Sequence, residues 1–266
     1  MVAGNCEMIQ TVTGSDAEVH RVSDRSAIEW TEATWNPITG CTKVSSGCDR
    51  CYAETFAERW RGVPGHPYEQ GFELRFWPQR LEQPLRWRRP RIIFVNSMSD
   101  LFHQSVPDSF IERVLQTIRE TPRHTYQVLT KRPGKMASVM RRLQPDPLPN
   151  LWLGTSIEND EYVGRADHLR ATPASVRFLS LEPLIGPVPS LNLKNIDWVI
   201  VGGESGHGAR PMHETWALTI RDRCTNAGIA FFFKQWGGRT SKSNGRMLDG
   251  ELWNEMPRQG DCSKPN

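Results

Sequence analysis

Six short apolar runs, at residues 92–95, 126–129, 151–153, 176–179, 198–201 and 229–233, constrain this chain more than any other feature. Each is rich in β-branched or aromatic residues and too short for a helix, so each reads as a buried strand. Amphipathic helical segments lie between several of them, at 107–120, 135–143, 160–171 and 213–227. The first carries Phe110, Val114, Leu115 and Ile118 on one face. Strand, helix, strand, repeated, predicts a parallel sheet, because parallel neighbours need a long crossover that a helix fills. The crossover at 182–197 holds Pro183, Pro187 and Pro189 and has no helical pattern, so one repeat departs from the ideal.

Polar residues follow every run: Asn96 to Asp100, Thr130 to Arg132, Gly154 to Glu158, Ser180 to Glu182, Gly202 to Ser205, and Lys234 to Trp236. In a barrel these are the C-terminal strand ends, where ligands are held. An open doubly wound sheet would give a similar string, but no Gly-x-Gly-x-x-Gly follows an early strand. The expectation is therefore an α/β fold, a partial (β/α) barrel of parallel strands. Asn96, Lys131, Ser156, Glu182, Glu204 and Lys234 should share one cavity.

Three of the six cysteines crowd into one short stretch as C-x6-C-x2-C, namely Cys41, Cys48 and Cys51, with Gly40 and Gly47 before the first two. Such clustering suggests metal. Three thiolates can hold three irons of a [4Fe–4S] cubane and leave the fourth open, whereas a structural zinc site needs a fourth ligand, which His66 or another distant residue would supply. Both readings stand at this point, and both require the three sulfurs to converge. Ala53, Phe56, Ala57 and Trp60 have helical spacing, which places a helix behind the loop with its N-terminus towards an anionic cluster. Residues 27–30 read as the first strand. Cys6, Cys224 and Cys262 are scattered and read as free thiols without a role.

With 38% hydrophobic and 24% charged residues and a net charge of +3, the chain has the profile of a globular protein without a strong bias towards polyanions. No apolar run approaches the ~20 residues that cross a bilayer, and the N-terminus lacks an apolar signal core, so the expected location is the cytoplasm and no membrane partner is expected. Residues 1–25 read as a disordered arm, 26–257 as one domain and 258–266 as a flexible tail. One basic loop, Arg86 to Arg91 with Trp87, reads either as a solvated turn or as a grip on phosphates and a base.

The cysteine segment with Trp35-Asn36-Pro37 and Cys51-Tyr52-Ala53, together with Asn96-Ser97-Met98-Ser99-Asp100, Leu129-Thr130-Lys131-Arg132-Pro133, Ser180-Leu181-Glu182-Pro183 and Gly202-Gly203-Glu204-Ser205-Gly206, resembles the phage-associated three-cysteine-motif family. That resemblance implies a radical S-adenosylmethionine-like, TIM-barrel-like fold, a [4Fe–4S] cluster on Cys41, Cys48 and Cys51, and S-adenosyl-L-methionine as second cofactor. It also implies a phage or prophage context, a three-cysteine-motif partner protein and a reductant protein. The chain departs from the usual C-x3-C-x2-C of that superfamily, and Tyr52 follows the last cysteine instead of preceding it.

On this reading the strand ends take roles. Lys131 and Arg132 are candidates for a cofactor carboxylate or a substrate phosphate. Glu204 or Glu182 would accept from an amine, although Glu204 bridging to Arg210 is an alternative. Ser97, Asp100, Thr155, Ser156 and Glu158 are candidates for ribose hydroxyls or substrate. Lys234, a cation ending a buried run, and Glu182 are the catalytic candidates. Trp35 and Trp236 are candidates for stacking on a base. The substrate expected is a nucleic acid or nucleotide; the alternative is a zinc- or cluster-stabilised protein that binds nucleic acid or a partner without catalysis.

Overall fold

The structure, a computed structural model, describes residues 26, 28–241 and 243–257. The expected N-terminal arm and C-terminal tail lie outside the described residues. Seven strands form one sheet in the order β1 (Ala33–Trp35), β4 (Ile92–Val95), β5 (Thr125–Thr130), β6 (Leu151–Ser156), β7 (Val176–Leu181), β8 (Trp198–Gly202) and β9 (Ala230–Gln235), and every neighbouring pair is parallel. A short antiparallel pair, β2 (Ile38–Thr39) and β3 (Arg75–Phe76), sits within the first crossover.

The expected strands at the six apolar runs are all present. The expected first strand is not: residues 28–30 turn, and the chain enters the sheet later, at β1. Trp30 instead folds under the sheet. Its ring centroid lies 4.7 Å from Phe94 on β4 and 6.0 Å from Trp198 on β8, two strands that are four places apart in the sheet. In a flat sheet four spacings are about 19 Å. One indole reaches both only because the sheet curls into a partial barrel with Trp30 plugging its concave side. Phe94, Trp152, Phe178, Trp198 and Phe232 complete this inner aromatic layer.

The convex face packs against helices α2 (Asp108–Glu120), α3 (Pro133–Leu143), α4 (Arg165–Arg170) and α5 (Glu214–Ala227) over a larger aliphatic core. The segment expected as one helix at 160–171 is broken in two. Asn159 caps a 3-10 turn, Asp160–Tyr162, by accepting from the Glu161 N–H, and α4 restarts after Gly164. The proline-rich crossover at 182–197 contains no helix, as its composition requires. No helix of the described residues is long and apolar enough to cross a membrane.

Strand alternation then sorts the side chains. With Phe94, Trp152, Phe178, Trp198 and Phe232 pointing inward, period two places Asn96, Lys131, Ser156, Ser180, Glu182, Gly202 and Lys234 on the same concave side, above the aromatic layer.

Candidate functional site at the strand C-termini

The cysteine loop leaves β2 and returns through helix α1 (Tyr52–Glu58), which places it across the C-terminal mouth of the sheet. Gly40 begins it, with φ +81°. A Cβ there would lie 2.0 Å from the Glu73 carbonyl oxygen, so only glycine lets the chain pass between Met98, which accepts from the Gly40 N–H, and residues 72–73. At Gly47 a Cβ would meet the Glu158 side chain at 2.4 Å. The glycines beside these cysteines thus serve close protein packing.

Two buried carboxylates clamp the loop. Glu158, 0% exposed at the end of β6, accepts from the Ser45 hydroxyl at 2.8 Å, from Arg165 at 2.9 Å and from Lys131. Burial alone would raise its pKa; the charges of Lys131 and Arg165 and their hydrogen bonds outweigh this and hold it below the ordinary carboxylate value. Glu204, 4% exposed after β8, accepts from the Arg210 backbone and Nε, each at 2.9 Å, and from Arg50 at 3.3 Å. Arg210 in turn donates to the Ser46 carbonyl at 2.8 Å, which ties the loop to the carboxylate. Burial opposes ionisation of Glu204 too, but hydrogen bonds from Arg210 depress its pKa overall.

A third cluster forms around Asp100. It accepts from Thr130 Oγ1 at 2.7 Å, the Lys131 N–H at 3.1 Å and Arg132 at 3.2 Å. Arg132 donates onward to the Thr42 carbonyl at 2.8 Å and to Cys41 Sγ at 3.4 Å. Cys41 sits above the ordinary thiol pKa because burial and Asp100 outweigh Arg132. Burial likewise raises Cys51, against the pull of the Ala53 and Glu54 N–H groups at the start of α1. Cys48 lies 3.7 Å from the Ser45 hydroxyl.

Cys41, Cys48 and Cys51 are all free thiols on one loop, a soft donor set that fits a metal cluster in kind. Cys41 accepts from Arg132, and among the described residues no group of three or more His, Cys, Asp or Glu side chains is placed to hold a metal ion.

Most expected binding residues already have protein partners. Lys131 is committed to Glu158, Arg132 and Asp100 to each other, and Glu204 to Arg210, the alternative weighed from sequence. Ser97 donates to Asn36 Oδ1 at 3.2 Å, and its carbonyl accepts from the Tyr52 hydroxyl at 2.5 Å. Thr155 is fully buried on the convex side, bonded to the Thr130 carbonyl at 2.9 Å, and is not brought to the mouth. Ser156 is on the concave side, with its carbonyl held by Arg165. Trp35 is core: 0% exposed, it donates to the Arg80 carbonyl at 2.7 Å, which overturns its expected stacking role. Trp236 donates to the Met247 carbonyl at 2.8 Å and rests on Phe233.

What remains on the concave side is a smaller set. Lys234 donates to Glu182 at 2.7 Å, while the other oxygen of Glu182 is buried without a partner. Asn96, 2% exposed and at φ +60°, has neither amide atom hydrogen-bonded. A buried, unpaired carboxamide in the left-handed region is unfavourable twice over, and such costs recur where a ligand completes the site. Sequence reasoning named Asn96 only as a member of the ring. It missed Arg165 and Arg50 as clamps, for no spacing rule links them to Glu158 or Glu204.

Among solved structures the chain is similar to spore photoproduct lyase complexed with dinucleoside spore photoproduct, with TM-score 0.46 and 11% identity over 77% of this chain and 64% of that chain. A variant of the same protein with bound AdoMet and dinucleoside spore photoproduct gives TM-score 0.47 and 12% identity, again over 77% of this chain and 64% of that one. This chain thus spans less than two thirds of their length. No curated protein matches it. The family described as protein of unknown function DUF5131 matches residues 25–257, which hold the whole curled sheet with its cysteine loop, and the chain belongs to that family.

Proposed function

We propose that this protein is a radical S-adenosylmethionine-like enzyme that carries a [4Fe–4S] cluster on Cys41, Cys48 and Cys51. One observation carries the reading: a loop with three free thiols is clamped by two buried carboxylates over the C-terminal mouth of a curled parallel sheet. Ligand chemistry in such folds is placed at that mouth. When bound, the cluster and S-adenosyl-L-methionine would supply an electron donor and a cleavable sulfonium.

The chain's own residues would position and exclude. Glu158, Lys131 and Arg165 hold the loop down, and Glu204 with Arg210 and Arg50 holds its far side. Asn96, Glu182 and Lys234 are left to touch a ligand above the aromatic layer, with Ser97 and Ser156 beside them. Arg132 leaving Cys41 would free that thiol to join the other two. A nucleic acid or nucleotide substrate, a reductant protein, a three-cysteine-motif partner and a phage context complete the reading and rest on the sequence resemblance, the substrate also on the basic loop Arg86 to Arg91; a cytoplasmic location rests on the shortness of the apolar runs.

Anaerobic purification followed by iron, sulfide and zinc analysis tests it. The expected result is brown protein with about four irons per chain, with iron lost in Cys48→Ala and 5′-deoxyadenosine formed from S-adenosyl-L-methionine under a reductant. Colourless protein with one zinc and no 5′-deoxyadenosine overturns it in favour of a zinc-stabilised binding protein.

A further inference from the structure

The opposite end of the sheet carries a site that the cysteine loop does not touch. There the C-termini of α3 and α4 and the start of β7 enclose an open cleft of about 480 Å³, lined by Arg141, Pro145, Arg170, Ala171, Thr172 and Arg177. Arg141 donates to the Ala171 carbonyl at 3.3 Å and Arg177 to the Thr172 carbonyl at 3.0 Å. These carbonyls are consecutive, and both side chains line the one cleft. Among the described residues no carboxylate pairs with either side chain; Asp197 accepts only from the Arg177 backbone, and the exposed Asp146 is not bonded to the arginines. Arg170 reaches in beside them, paired with Asp167 and donating to the Asn192 carbonyl at 2.9 Å.

Like charges gathered without counter-charges repel, and carbonyls offset this only in part. Each guanidinium has five N–H donors, and Arg141 and Arg177 each place one on a protein acceptor. The Nε of Arg177 is buried with no partner at all. That combination asks for an anion. The open donors of Arg141 and Arg177, with the paired Arg170 adding its charge beside them, suit a tetrahedral oxyanion with several oxygens to share.

We infer that the Arg141–Arg170–Arg177 cleft is a phosphate-binding site. The same edge of the sheet continues through Arg123 at the start of β5 to the exposed Arg88 and Arg89 before β4, a row spanning β4 to β7. Three strand spacings cover about 14 Å, the reach of a few successive phosphates. The site stands whether or not the cysteine loop binds a cluster.

The test titrates the full-length protein at 0.1 M salt with pyrophosphate and, separately, with a fluorescein-labelled single-stranded oligonucleotide. Two variants accompany it. Arg141→Gln removes one fork, and Ala171→Glu puts a carboxylate on an exposed cleft position without removing any arginine, so folding is spared. The expected result is binding by the wild type that weakens at least tenfold in both variants with unchanged melting temperatures. Binding of pyrophosphate alone identifies a small phosphorylated ligand. Binding of the oligonucleotide, with a salt slope that falls by about one in Arg141→Gln, identifies a polynucleotide backbone. No binding of either probe, or equal binding by the wild type and both variants, overturns the site and leaves the arginines as caps of helix carbonyls.

Discussion

The two ends of the sheet use the same residue types in opposite ways. At the mouth every buried carboxylate of the loop clamp meets two cations: Glu158 has Lys131 and Arg165, and Glu204 has Arg210 and Arg50. At the other end Arg141 and Arg177 meet only carbonyl groups. At the mouth each of these cations faces a carboxylate, and the pairs hold the loop in shape. At the far rim charge is left available. The unsatisfied groups of the mouth are neutral or half-used, Asn96, the Ser46 hydroxyl and one oxygen of Glu182, whereas the rim leaves a cationic nitrogen unpaired. A structural clamp and a receptive site are thus distinguished by whether charges find protein partners.

The contrast can be broken most severely at Glu158. Glu158→Ala leaves Lys131 and Arg165 facing each other without a counter-charge, and should cost about 3–5 kcal/mol, read as a lowered urea midpoint. A loss under 1 kcal/mol would mean that the clamp is not what holds the mouth.

Glu204→Gln should be milder, because Arg50 and Arg210 are partly exposed and can turn to water. A loss of about 1.5–3 kcal/mol is expected, and alkylation of Cys48 and Cys51 by iodoacetamide should accelerate as residues 46–50 come loose. Unchanged alkylation would show that the loop is held by other contacts.

Acid should act on the same clamp. The folded pKa of Glu158 lies below its ordinary value of 4.5, so its stabilisation is complete above that value and is lost as pH falls through the lower folded one. Wild-type stability should therefore fall below about pH 4.5, and Glu158→Gln should show a shallower fall there. Parallel curves would assign the acid sensitivity elsewhere.

Asn96→Gly should act in the other direction. It removes an unpaired buried amide and a non-glycine residue at φ +60°, against the greater chain entropy of glycine, for a net gain of about 1 kcal/mol. A raised melting temperature with reduced cofactor or substrate use would mark Asn96 as a ligand contact, and a lowered one would show that its side chain supports the fold. Smallest of all, Arg88→Ala should change stability by less than about 0.5 kcal/mol, since Arg88 is exposed on the rim.

How much of this was legible beforehand follows from which interactions are local. Apolar runs of three to five residues with polar ends are a period of the chain itself, so the parallel sheet, its six later strands and the polar ring at one end could be read directly. The spacing of Cys41, Cys48 and Cys51 likewise marked the loop. The start of β1 could not be read, because Trp30 leaves its apparent strand to bridge Phe94 and Trp198, a contact that exists only once the sheet has curled. Nor could the partners of Glu158 and Glu204, which lie on elements far apart in sequence. The sequence by itself determined which residues alternate inward and outward and which thiols share a loop. Only the tertiary structure decided which charges meet, because ion pairing depends on distances of a few ångströms between separate crossovers, and no periodicity encodes those.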